Sequence, residues 1–328
     1  MDTQIIKPIA AGDLTIERFT VEHFPGDALG IPTATPRMNW VYSRAVPDGS
    51  QILLKISRRV PGALAKEEYT YLPPENSVLV PWQFTPLASR EEVFATVQLV
   101  SASHKPLSEP SATLHFEAGL MQEYEHVADF VGPSWAEPET DHRHLPLVRT
   151  EVALKAKPKR ARLYLSALGL VEAEINGMKI GHDALIPGWT NYEKRVQCWT
   201  YDVTDELREG GNAMGFWLGD GWYRGRLGFD GGYVNYYGDR IGVFAQLEVE
   251  YEDGSLQNVY SNAWDRQWKA TLGPIVCSDL CEGERYDARL EQPGWSEPGF
   301  DDSSWKPVSE VFYDPANIEN PDTSPVRA

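Results

Sequence analysis

Four acids close together in the sequence, Asp279, Glu282, Glu284 and Asp287, are the most direct candidates for chemistry. Two carboxylates ~5–5.5 Å apart, or ~6.5–9.5 Å apart in the inverting geometry, can cleave a glycosidic bond when one of them is held protonated. The competing reading, which is preferred, has Glu284 and Asp287 pairing with Arg285, Arg289 or Arg224 to lock a loop, so no catalytic residue is assigned. Residues 247–302 carry thirteen acids against four bases, which leaves a hard cation such as calcium open. No calcium-loop spacing is present, however, so no metal ligands are assigned and no cofactor is required. All seven histidines lie at or before His182. The aromatic-rich half therefore has no histidine for a triad or a zinc site, and His142-x-His144 alone is too sparse to assign as a metal site. Cys198, Cys277 and Cys281 do not form a disulfide framework. On a single strand Cys277 and Cys281 would stand ~13 Å apart, beyond the ~7 Å reach of a bridge.

A second concentration of functional side chains is Phe216-Trp217-Leu218-Gly219-Asp220-Gly221-Trp222-Tyr223-Arg224-Gly225. Its glycines allow positive φ or close backbone approach, while its indoles and phenol offer large apolar faces with polar edges. Such a stretch suits a tight corner of a β-sandwich, and it also suits a sugar platform. A dinucleotide fingerprint is rejected because the third glycine falls one residue late and no helical period follows. The motif reads as mainly structural, with ligand contact as the alternative.

The elements that must position these residues are strands. With 328 residues, eleven Trp, fifteen Tyr, 27 Gly and 24 Pro, the chain favours two all-β domains with little helix. Residues 1–120 read as a fibronectin-like β-sandwich, with strands at Thr15–Val21, Arg37–Tyr42, Gln51–Ser57, Val93–Val100 and Thr113–Phe116. Residues 121–147 read as a short helix (Met121–Phe130) followed by a proline-rich linker. From 148 to 312 a jelly roll of about nine strands is expected, and 313–328 reads as a linker. The hairpin signals Asn176-Gly177 and Asp253-Gly254 fall in this half. Val243, Ala245, Leu247, Val249 and Tyr251 alternate with Gln246, Glu248 and Glu250, which predicts one dry and one wet face. A strand is also expected over Trp264–Ala270, and one helical turn begun by Thr204.

The formal net charge of −18 argues against nucleic acid or an anionic membrane as a partner. The charge is uneven. Residues 1–118 carry ten Lys and Arg against thirteen Asp and Glu, whereas 119–312 carry nineteen against thirty-two. Met1–Lys7 has neither a basic nor an apolar leader region, so a cytoplasmic location is expected, with export left open.

Several long motifs occur in one order: Arg162–Leu170, Ile175-Asn176-Gly177, Leu185–Tyr192, Tyr201–Thr204, Gly219–Gly225, Glu282–Arg289 and Gly294-Trp295. In that order the second half resembles the N-terminal carbohydrate-binding-type sandwich of bacterial α-L-rhamnosidases, glycoside hydrolase family 78. Gly30-Ile31-Pro32 and Pro36–Trp40 resemble the same family's fibronectin-like domain. The resemblance implies a catalytic (α/α)6 helical barrel beyond these sandwiches, carrying the acid and base, so this chain alone is expected to be inactive. It implies as partners an L-rhamnose-containing glycan or glycoside and that missing barrel, and calcium is used by some related sugar-binding sandwiches. For a rhamnose-binding role the candidates are Asp220, Trp222, Tyr223, Arg224, Asp230, Asn235 and Tyr236, with Gly231-Gly232 giving their loop freedom to close. The rival reading packs this loop against the barrel. A free-standing carbohydrate-binding protein and a purely structural module are the alternatives for the whole chain.

Overall fold

The computed structural model describes residues 14–24, 26–137 and 143–327, and His142 lies outside them. The chain divides into two compact units, Met1–Met121 and Gln122–Ala328.

In the first unit Ile16–Val21 pairs antiparallel with Met38–Tyr42. Five further strands form a second sheet in the order Ala28–Ile31, Leu114–Ala118, Glu92–Val100, Gln51–Arg59, Lys66–Leu72. Period-2 alternation drives the packing: Ile52, Leu54 and Ile56 point into the same core as Val93, Ala95, Val97 and Leu99, together with Trp40 and Phe116. The buried Trp40 still satisfies its indole N–H by donating to the Tyr42 hydroxyl at 2.8 Å, and that hydroxyl donates to the Pro74 carbonyl. Lys66–Leu72 gave no strand signal, because it is an edge strand whose exposed side carries charge.

The second unit is built on one long path of strands, with three two-stranded pairings beside it. Its order is Met178–Lys179, Leu170–Ile175, Gly210–Gly219, Pro146–Leu154, Lys269–Leu272, Lys306–Glu310, Val131–Pro133, Gly242–Glu250, Arg160–Leu168, Trp199–Asp202, and Leu256–Tyr260 also pairs with Gly242–Glu250. Val171, Ala173, Met214 and Phe216 from one end of the path share an apolar cluster with Leu163, Leu165, Ala245 and Leu247 from the other. The path therefore folds over a shared core as a β-sandwich, with a smaller cluster of Leu147, Trp295 and Trp305 beside it. Both hairpins form at the predicted turns: Asn176 and Gly177 have φ of 52° and 81°, and Gly254 has φ of 79°.

Several expectations are corrected. Met121–Phe130 holds only a 3-10 turn at Glu123–Glu125, with no α-helix. The proline-rich stretch that reads as a linker contains Val131–Pro133, which bridges Ser309 and Val243 in the sheet. Gly132 is required there, because an added Cβ would run into the Ile241 carbonyl oxygen. The face expected to be wet is covered: Gln246 is fully buried, accepting from the Val127 N–H and donating to the Glu125 carbonyl. Residues 125–127 lie over it, so the alternation marked polarity and not exposure. Trp264 is exposed in a turn and the strand starts at Lys269, while Thr204 sits in a turn held by Asp202. The last residues are docked: Ile318–Glu319 pairs with Val196–Gln197, and Val326–Arg327 pairs with Asp183–Ala184.

Candidate functional site

The Gly210–Gly219 strand delivers the chain to Asp220 and to a single helical turn, Gly221–Arg224. Gly221 takes φ of 53°, and an added Cβ would come within 2.6 Å of the Leu170 side chain, so the tight corner depends on glycine. Arg224 then turns inward and is 1% exposed. Its Nε donates to Asp220 Oδ1 at 2.6 Å and its Nη1 to Glu137 Oε2 at 2.6 Å. Its Nη2 has no partner among the described residues. Burial pushes the Asp220 carboxyl above the ordinary carboxylate range, and Arg224 works against that rise.

The loop that follows is tied to this base. The Asn235 N–H donates to the Arg224 carbonyl at 2.8 Å, and the Asn235 side-chain oxygen accepts from Arg143 at 2.7 Å. Leu227 and Tyr233 exchange two backbone hydrogen bonds, which closes the Gly-rich tip. Tyr223 packs edge-on against Tyr192, which in turn meets Tyr237 edge-on. Burial raises the Tyr192 hydroxyl's pKa, so it stays protonated.

Above this base lies a wet aromatic surface. Trp189 is 59% exposed and stacks parallel on the half-buried Trp222, with ring centroids 6.1 Å apart and planes at 6°. Tyr233, Tyr236 and Phe229 are exposed along the same loop. The seven candidates thus separate. Asp220, Tyr223 and Arg224 are buried and build the base, and Asn235 braces it. Trp222 is the lower half of the indole stack, while Asp230 and Tyr236 face solvent. Trp189 was absent from the candidates, although Pro187-Gly188-Trp189, a large aromatic displayed by a turn, was the available signal.

Three of the four acids are engaged by neighbouring groups, and Glu284 lines a cleft together with Asp279. Asp279 accepts from the backbone N–H groups of Arg226, Cys281 and Glu282, Glu282 pairs with Arg226, and Asp287 is gripped by Arg289. The last contact, with a backbone N–H, lowers the Asp287 pKa to about 2. Arg224 takes Asp220 and Glu137 instead of these acids. Among the described residues no group of three or more His, Cys, Asp or Glu could hold a metal.

Residues 156–328 match the family described as the α-L-rhamnosidase N-terminal domain, and residues 16–122 match a Rha78A-like N-terminal immunoglobulin domain. The chain belongs to the α-L-rhamnosidase N-terminal domain family. It is 49% identical over 172 residues to an α-L-rhamnosidase of Streptomyces avermitilis, a match covering 52% of this chain and 16% of that protein. Among solved structures it is similar to the native α-L-rhamnosidase of Aspergillus terreus, with TM-score 0.87 and 36% identity over 96% of this chain and 36% of the other. It is also similar to the Streptomyces avermitilis enzyme complexed with L-rhamnose, with TM-score 0.82 and 25% identity over 96% of this chain and 46% of the other. The chain spans between 16% and 33% of the length of curated relatives it matches.

Proposed function

We propose that the chain serves as the non-catalytic N-terminal portion of an α-L-rhamnosidase, in which the second unit holds a rhamnose-bearing ligand weakly at the Trp189–Trp222 platform. The carrying observation is the exposed indole stack fixed on a buried ionic base. An indole face suits the apolar side of a deoxysugar, and the exposed Asp230 and Tyr236 on the loop that follows Trp222 supply polar groups. The similarity to an enzyme solved with L-rhamnose supports the choice of sugar. A small neutral ligand held this way should bind with Kd of ~0.1–1 mM.

Titration calorimetry with methyl α-L-rhamnoside, with and without chelator, tests the reading. Binding that is indifferent to chelator fits stacking, binding lost with chelator and restored by calcium requires a calcium bridge, and no heat at high concentration contradicts the sugar role. In a second reading the same surface docks the helical barrel of the longer enzyme. Phe229, 95% exposed on the loop that follows Trp222, favours it, adding apolar surface that one sugar ring does not cover. In both readings purified chain does not hydrolyse an aryl α-L-rhamnoside, and turnover abolished by Glu282→Gln or Asp287→Asn would contradict them.

A further inference from the structure

A second concave site lies on the other side of the motif. The outer face of the Leu170–Ile175 and Gly210–Gly219 strands and the hairpin formed by Ile275–Asp279 and Gly283–Tyr286 enclose a cleft of about 580 Å³, within the ~300–1,000 Å³ usual for small-molecule sites. Trp217 and Leu170 line it from the sheet and Tyr286 from the hairpin. Trp217 is locked in place, donating its indole N–H to Glu174 at 2.8 Å and standing edge-on to Trp295.

The polar lining has one sign. Glu172, Glu174, Asp279 and Glu284 contribute carboxylates, and among the described residues neither Lys nor Arg lines the cleft. Glu174 is occupied by Trp217 and Ser296, and Asp279 by three backbone N–H groups. Glu172, which pairs with Lys179 at half exposure, and Glu284 therefore remain on opposite walls as acceptors. Gly219 also lines the cleft, and a Cβ added there would meet only the Leu170 side chain, at 3.4 Å or more, so the fold admits a methyl group that the cleft's occupant would have to share.

We propose that this cleft is a second saccharide site, separate from the indole platform, that takes a neutral sugar ring and rejects uronate-bearing or sulfated ones. It rests on the reading of the module as sugar-facing. Ionised carboxylates only accept hydrogen bonds, so their ligand must bring donors. Vicinal hydroxyls beside an aromatic face satisfy both walls, whereas an anionic ring would bring like charge into a cleft lined by four carboxylates.

The test is ¹H–¹⁵N NMR of the whole chain, following the indole N–H signals of Trp217, Trp189 and Trp222 during titration with methyl α-L-rhamnoside and, separately, with galacturonate. The neutral glycoside should shift Trp217 and galacturonate should not. Gly219→Ala should weaken the Trp217 response about tenfold while leaving that of Trp189 and Trp222 unchanged, so failure of the cleft and failure of the platform are read from different signals. Glu284→Gln sits on an exposed wall and does not test folding. It should weaken the neutral sugar by about tenfold, one lost charge-assisted hydrogen bond, and let galacturonate begin to bind. A Trp217 signal unmoved at high glycoside concentration, equal response to galacturonate, or an unchanged response in both variants would overturn the proposal.

Discussion

Both units bury arginines against carboxylates, and two of these, Arg58 and Arg224, are finished differently. Arg58 in the first unit forms a two-point contact with Glu91, Nε to Oε1 at 2.5 Å and Nη2 to Oε2 at 2.7 Å, and its remaining N–H groups reach the Thr85 and Pro86 carbonyls. Arg224 in the second unit joins Asp220 and Glu137, keeps Nη2 unpartnered among the described residues, and faces an Asp220 whose charge burial opposes. The first arrangement closes a core, while the second supports a surface, for directly above it the loop displays aromatics that the fold does not need to bury. One ion pair is saturated within a core, and the other keeps a donor unpartnered among the described residues beneath an exposed aromatic loop.

The comparison can be broken at graded positions. Trp40→Ala, which removes a fully buried indole, should cost ~3–5 kcal/mol in equilibrium denaturation, combining lost transfer energy with a cavity. Next, Glu91→Ala should cost about 3 kcal/mol because it strands Arg58 inside the core. Asp220→Asn should cost only about 1 kcal/mol, since burial already works against the ionised form. If Asp220→Asn proves as damaging as Glu91→Ala, the two pairs are equivalent and the contrast fails.

Acidity separates the units further. A hydrogen bond from His115, together with Arg59, lowers the Glu92 pKa to about 2. A depressed carboxyl contributes stability above its unfolded pKa of ~4.3 and loses it as the pH falls toward about 2. Glu92→Gln should therefore cost about 1–2 kcal/mol at pH 6, and the difference from wild type should vanish near pH 2. Asp220 runs the other way: its pKa is raised, so its unfavourable contribution grows as pH rises through the ordinary carboxylate range, and Asp220→Asn should be less costly at pH 7 than at pH 3. Denaturation midpoints of both variants across pH check the opposite slopes.

Much of the fold was legible, for definite reasons. Asn176-Gly177 and Asp253-Gly254 advertise positive φ, and the alternations at Gln51–Ser57 and Val243–Tyr251 marked strands because each has a dry face. What stayed hidden was long-range. Gln246 reads as solvent-facing until residues 125–127 are seen covering it, and Val131–Pro133 reads as linker until Gly132 is seen wedged against Ile241. At the site, residue types identified the neighbourhood but not the direction of each side chain. Asp220, Tyr223 and Arg224 turn inward, and Trp189, 33 residues before Trp222 in the sequence, arrives on another turn to complete the stack.

The smallest expected stability effect is also the most informative. Trp189 is mostly exposed, so Trp189→Ala should change stability by no more than about 0.5 kcal/mol. Paired denaturation and ¹H–¹⁵N shift mapping with methyl α-L-rhamnoside therefore test most directly whether the second unit presents a sugar-facing surface on a finished fold. The expected result is an unchanged midpoint together with loss of the sugar-induced shifts at Trp222 and along residues 229–236. A midpoint loss comparable to that of Trp40→Ala, or shifts that persist without Trp189, would contradict it.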